Sequence, residues 1–269
     1  MCDETTGANG TGTAAAPSEW NEPQAGLTEA MVEIATPDGT CEAFFAHPSS
    51  GAHPAVLFWP DAVALRDTKK AMVRRLAAQG FAVLAVNQYY RTAPLPVDVS
   101  FDTWRSQEGL AGMMPHLMQL SPDNIARDTK AFVAWLDAQD AVDKARGVGT
   151  QGYCAGGSLA VRSAAAAADR IGAAASFHGG QLVTDKPDSP HRLLEKTNAS
   201  FLFAIGRDDD ARAPGDKDEL RAAADAAGRG AEIEVYAADH SWCVPDAPAY
   251  DQAEADRAFA RLMVLYAKL

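Results

Sequence analysis

Gly152-Tyr153-Cys154-Ala155-Gly156-Gly157 is the stretch that decides how this chain folds. It follows the run Gly147-Val148-Gly149-Thr150 and opens an Ala-rich segment that reads as a helix. A strand that bends sharply into a helix lifts the residue at the bend clear of the sheet edge, where it can attack a substrate. Glycines around the bend let the turn tighten and let a neighbouring backbone come close, because they carry no Cβ. The residue at the bend is Cys154, so the stretch predicts a sulfur nucleophile.

Outward from this turn the chain alternates. Towards the N-terminus, Met31–Ala35 and Cys41–Ala46 flank the turn Pro37-Asp38-Gly39 and read as a β-hairpin. The period then changes. Ala55–Trp59 and Phe81–Val86 are continuous apolar runs, as strands buried on both faces should be. Asp67–Gln79 between them reads as an amphipathic helix, and Ser121-Pro122-Asp123 opens another that runs to about Gln139. Arg146–Thr150 leads into the bend, and Ser158–Ala168 is the helix after it. Ala173–Phe177, Phe201–Ile205 and Glu232–Tyr236 read as strands, with helices near Asp216–Ala227 and Tyr250–Ala267. Such alternation implies an α/β fold, with a mostly parallel sheet covered by helices on both faces. Residues 1–25, rich in Gly, Thr, Ala and Pro, read as a disordered or loosely attached tail, and 26–269 as a single domain. Thr92–Leu120 is irregular and weakly helical, either a cap over the site or a plain excursion.

Composition narrows the function. The 269 residues carry 24 Lys plus Arg against 36 Asp plus Glu, a net charge of −12 with no basic run. That excludes an electrostatic partner such as nucleic acid or an anionic membrane. No apolar run is long enough to span a bilayer. The four cysteines have no paired spacing, which points to a reducing, cytoplasmic setting. The first 17 residues show neither the basic nor the apolar region of a secretion signal. No spacing suits a metal or other cofactor, and none is expected.

Three segments, the Cys154 turn, Ile205-Gly206-Arg207-Asp208-Asp209 and Ala238-Asp239-His240-Ser241-Trp242, together resemble the dienelactone hydrolase family of α/β-hydrolases. The resemblance spans roughly residues 30–269. It implies the α/β-hydrolase fold and a cysteine-dependent hydrolysis of small esters or lactones through a thioester. It further implies Cys154 as nucleophile, His240 as base and later acid, and Asp209 as the acid that orients His240, in the chain order nucleophile, acid, His. Asp208 and Asp210 compete with Asp209 for that role. The backbone N–H groups of Ala62 and Ala155 would form the oxyanion hole. Asp61 stands where the family has a Glu that helps activate the nucleophile, although an Asp that caps the following turn fits equally. Arg91 stands where the family grips a substrate carboxylate, although a surface Arg paired with an acid of this acidic chain fits equally. The second Arg that the family carries four residues after its His is Val244 here.

His178 follows a strand end and, with Trp242, is a candidate substrate contact, although a structural role also fits each. Two further readings of the chain stay open. One is a non-catalytic module that binds a ligand or senses oxidants through Cys154. The other is an acyltransferase or thioesterase with the same nucleophile. The natural partner is a small-molecule ester or lactone on the leading reading. Oligomeric state is not legible.

Overall fold

The computed structural model describes residues 18–104 and 106–269. Of the tail expected over 1–25, residues 1–17 lie outside the described residues. Ser18–Trp20 forms one 3-10 turn, and the carbonyls of Trp20 and Asn21 accept hydrogen bonds from Arg74 at 3.1 and 3.0 Å.

The framework is one eight-stranded sheet. Its strands in chain order are β1 (Leu27–Thr36), β2 (Gly39–Pro48), β3 (Ala55–Trp59), β4 (Ala82–Val86), β5 (Val148–Tyr153), β6 (Ile171–Phe177), β7 (Ser200–Gly206) and β8 (Ala231–Tyr236). Their spatial order is β1-β2-β4-β3-β5-β6-β7-β8. The hairpin β1–β2 is antiparallel and joins β4 antiparallel, while every pairing from β4 to β8 is parallel. This is the α/β-hydrolase fold. β3 and β4 are buried along their whole length, as their unbroken apolar runs require.

The helices are α1 (Asp67–Ala77), α2 (Phe101–Trp104), α3 (Gln107–Leu117), α4 (Pro122–Asp137), α5 (Ala155–Ala166), α6 (Arg207–Arg212), α7 (Asp216–Ala226) and α8 (Gln252–Tyr266). On one face of the sheet, Phe132 and Leu136 of α4, Leu159 of α5 and Leu220 of α7 build the core. On the other face, Val73 and Leu76 of α1 meet Ala258 and Leu262 of α8. Helices on both faces force the parallel strands to end along one edge. In open α/β sheets that carboxyl edge is where ligands bind.

The irregular region is a short helical cap. Ser106 caps α3 by accepting the Gly109 N–H at 2.9 Å, and Met113 and Trp104 pack over Ala64 and Tyr89. Two boundaries differ from expectation. β5 continues through Gly152 and Tyr153, because they pair with Ser176 and Phe177 of β6. α5 then starts at Ala155, so the whole bend falls on Cys154.

Candidate active site

Cys154 has φ 54° and ψ −118°, a conformation that residues with a Cβ rarely adopt. The turn closes around it because its neighbours are glycines. A Cβ on Gly152 would lie 1.8 Å from the carbonyl oxygen of Gly156. A Cβ on Gly156 would lie 2.5 Å from the Pro60 oxygen, where β3 ends. The elbow is therefore wedged against the loop that carries Ala62. Of the five non-glycine residues with positive φ among the described residues, Ala64, Cys154, His178 and Ser241 all surround this point. Such strain persists only where the surroundings over-determine it, and it gathers at functional sites.

His240 lies on the loop after β8. One of its ring nitrogens, one from His178 and the sulfur of Cys154 lie within 4.8 Å of one another. The Nδ1 of His240 meets both carboxylate oxygens of Asp209, at 2.9 and 3.0 Å, which leaves its Nε2 for the sulfur side. Burial alone would lower the His240 pKa, but the Asp209 hydrogen bond and the facing Cys154 raise it to about 10. The imidazole therefore holds its second proton through neutral pH. The three adjoining aspartates divide clearly. Asp208 accepts the backbone N–H of His240 at 2.7 Å, and Asp210 pairs with Lys217 at 2.7 Å. Gly206 makes room for this cluster, since a Cβ there would sit 2.8 Å from Asp209 Oδ2 and 3.2 Å from His240 N.

His178 is buried behind the pair. Its Nδ1 accepts the Cys154 N–H at 3.1 Å, an amide that the Phe177 carbonyl shares. Burial first, then the nearby His240, holds the His178 pKa well below its usual value, so the ring is neutral with its proton on Nε2. Its ring meets His240 edge-on at 4.6 Å and Trp242 at 5.4 Å between centroids. Trp242 is fully buried and stacks on Tyr236. Both residues support the site from behind. A soft cation would find few ligands here. His240 Nδ1 donates to Asp209, and His178 Nδ1 accepts the Cys154 amide with the ring proton on Nε2, which leaves the sulfur and His240 Nε2, short of the three protein ligands a zinc site uses.

The opposite wall is the loop after β3. Ala62 is buried, and its N–H meets no acceptor among the described residues; neither does that of Ala155, the first residue of α5. The two amides come from the loop after β3 and from the elbow. Asp61 is 1% exposed, and both its oxygens are taken. Oδ1 accepts Arg66 at 2.8 Å and the Val63 amide at 3.0 Å, while Oδ2 pairs with Lys69 at 2.7 Å. Burial would raise its pKa, but the two cations hold it well below the usual carboxylate range. Its carboxylate is committed to cations, whereas Asp209 faces an imidazole.

Arg91 is not brought to Cys154. It bridges Asp128 of α4 at 2.7 Å and Asp38 of the hairpin turn at 2.6 Å. Val244 is fully buried. The cavity at Cys154 measures about 20 Å³ and is closed by Ala62 and Val63 on one side, Ser241 on another and Phe101 and Trp104 of the cap. A mostly apolar cavity of about 430 Å³ lies elsewhere, between α1 and α8, and neither Cys154 nor His240 lines it. Lys69 and Arg66 were not singled out from the sequence. A Lys inside an amphipathic helix reads as a solvated face, and only the fold turns it inward.

Among the described residues no helix is long and apolar enough to cross a membrane. The chain is 26% identical over 259 residues to a Salmonella typhimurium protein named "Putative carboxymethylenebutenolidase", covering 94% of this chain and 92% of that one. A crystal structure named "Putative Dienelactone Hydrolase" from Klebsiella pneumoniae subsp. pneumoniae superposes with a TM-score of 0.77 at 20% identity, over 90% of this chain and 99% of that one. A dienelactone hydrolase-like promiscuous phosphotriesterase from metagenomic libraries superposes with a TM-score of 0.70 at 24% identity, over 91% and 99%. The model of the dienelactone hydrolase family matches residues 41–269, and the chain belongs to that family.

Proposed function

We propose that this protein hydrolyses small esters or lactones through Cys154, using His240 as acid and base and Asp209 to orient it. The observation that carries the reading is His240 itself. It is held at Nδ1 by Asp209 and turns its free edge to a sulfur presented on a strained elbow. An imidazolium beside sulfur and a helix N-terminus under it are the surroundings that favour a thiolate nucleophile.

The sulfur adds to the acyl carbon, and the carbonyl electrons move onto oxygen. The amides of Ala62 and Ala155 receive that oxyanion. Collapse breaks the bond to the leaving alkoxide, which takes a proton from His240 Nε2. A water then attacks the thioester, gives its proton to His240, and releases the acid with the Cys154 thiolate restored. Asp209 keeps the ring in the required tautomer throughout. His178 fixes the Cys154 amide, and Trp242 backs His178, so both act on the elbow from behind.

The site accepts an uncharged acyl group. Arg91 is neutralised by Asp128 and Asp38, and Val244 offers no charge, which leaves a substrate carboxylate without a partner. Phe101 and Trp104 must swing out for any ester to enter, since about 20 Å³ holds little more than one water. A thiol nucleophile works best in a reducing compartment such as the cytoplasm. Residues 26–269 act as one domain, an organisation that the single continuous sheet supports.

The test is turnover of 4-nitrophenyl acetate by the native protein and by Cys154→Ala. The variant should keep the fold by circular dichroism and lose turnover. Full activity in the variant would sink the reading.

A further inference from the structure

We infer that Lys69, Asp61 and Arg66 form a buried clamp that positions the oxyanion-hole amide of Ala62 against Cys154 and His240. This rests on the assignment of Cys154 and Ala62 above, and it makes Asp61 a positioning residue.

Lys69 belongs to α1 and is 0% exposed. Nothing about helix packing requires a Lys there, and a buried ammonium persists only when paired. Its partners are Asp61 Oδ2 at 2.7 Å and the face of Tyr153, the residue before Cys154, at 4.8 Å. Lys69 thus bridges the oxyanion loop and the elbow strand.

Around Asp61 the loop is tied at nearly every polar atom. Asp61 Oδ1 accepts the Val63 amide, and the Asp61 carbonyl accepts the Ala64 amide at 3.0 Å. Arg66 donates to the Ala64 carbonyl at 3.2 Å, Gln88 to the Asp61 carbonyl at 2.7 Å and Tyr89 to the Ala62 carbonyl at 3.2 Å. Ala64 holds φ 63°, so this loop is strained and depends on those ties. Ala62 N–H stands apart from this network, without an acceptor among the described residues and at the wall of the Cys154 cavity.

The clamp also reaches the loop that bears His240. Arg66 spans from Asp61 to Asp246, six residues beyond His240, at 2.6 Å, and covers the Phe101 ring of the cap at 5.1 Å. Oxyanion loop, His loop and cap therefore converge on one guanidinium. A carboxylate held by the Lys69 amine on one oxygen and by Arg66 and the Val63 amide on the other has no free lone pair directed at sulfur. What it can do is hold Ala62 N–H where the oxyanion will form.

The two roles separate by reaction type. Acylation by 4-nitrophenyl acetate passes through an oxyanion. Alkylation of Cys154 by iodoacetamide is a displacement at saturated carbon and needs no oxyanion hole. We expect Lys69→Met to lower kcat for 4-nitrophenyl acetate by about 10- to 100-fold with KM little changed, because a donor misplaced by about 1 Å costs on that order. The rate and pH profile of iodoacetamide alkylation should stay as in the native protein. Asp246→Asn, which loosens Arg66 at the surface without stranding a buried charge, should lower kcat about threefold and leave the alkylation profile in place. That second variant decides the matter if Lys69→Met does not fold.

Unchanged kcat in the folded variants would overturn the clamp. So would an alkylation profile that moves with kcat, since that would mean the network acts on the sulfur itself. If Cys154 is not alkylated in the native protein, or Cys154→Ala still turns over, then the underlying assignment has failed instead.

Discussion

Two loops each bring an aspartate to the site around Cys154, one through His240 and one at the cavity wall, and they pair it in opposite ways. The loop after β7 places Asp209, one-fifth exposed, against an imidazole that can gain and lose a proton. The loop after β3 places Asp61, fully buried, against the side-chain nitrogens of Lys69 and Arg66. Residue type is the same in both. The partner decides the role. In the mechanism proposed above, the carboxylate facing a titratable ring tunes proton transfer, whereas the one held by Lys69 and Arg66 keeps a backbone in place.

Substitutions can break or sharpen that contrast. The largest loss of turnover belongs to Cys154→Ala, at least about 10⁴-fold for ester hydrolysis, as for a nucleophile removed from a triad. Gly152→Ala should come close, by a different route. Its Cβ would fall 1.8 Å from the Gly156 carbonyl oxygen, so the elbow must deform. A stability loss of about 3 kcal/mol or more is expected in denaturant titrations.

Asp209→Asn should lower kcat by about 10² to 10⁴-fold and change the pH dependence, whereas the clamp variants lower kcat alone. The sign follows from His240. Its folded pKa of about 10 lies above its unfolded value of about 6.5, so its bonding to Asp209 stabilises the fold most below the unfolded value. That contribution fades as pH rises towards 10. The Tm difference between the native protein and Asp209→Asn should therefore be widest in mild acid and shrink in alkali. A difference that widens with pH would contradict the ionised pair.

The smallest effect on turnover is expected at Arg91. Arg91→Gln should leave kcat/KM for a neutral ester within about twofold, because the side chain is committed to Asp128 and Asp38. It should still cost about 3 kcal/mol of stability, since Asp128 is buried and would lose its cation. A large fall in kcat/KM would show that Arg91 leaves its partners to meet substrate.

Much of this was legible in the chain. The apolar run Ala55–Trp59 matches β3 residue for residue, because a strand buried on both faces needs no alternation to reveal it. The hairpin around Asp38-Gly39 was readable from turn chemistry, with Gly39 at φ 134°. The elbow, the loop after β7 and the His loop announced themselves through glycines and local order. The division of labour among Asp208, Asp209 and Asp210 did not. It depends on where one helical turn, α6, points each carboxylate, and a run of three acids does not encode that. The burial of Lys69 and the identity of the acids that hold Arg91 were opaque for the same reason. Their partners lie on other elements, and ion pairs of that kind are written in tertiary geometry alone.

Asp209 and Asp61 are both proposed to serve Cys154, so the decisive measurement is made on that sulfur. Rapid acid quench of the native protein with 4-nitrophenyl acetate, followed by intact-mass analysis and peptide mapping, reads it directly. The account predicts one acyl group per chain, on Cys154, appearing with the first turnover and vanishing as the ester is consumed. Turnover with an acyl group on another residue, or with Cys154 unmodified at every quench time, would contradict it.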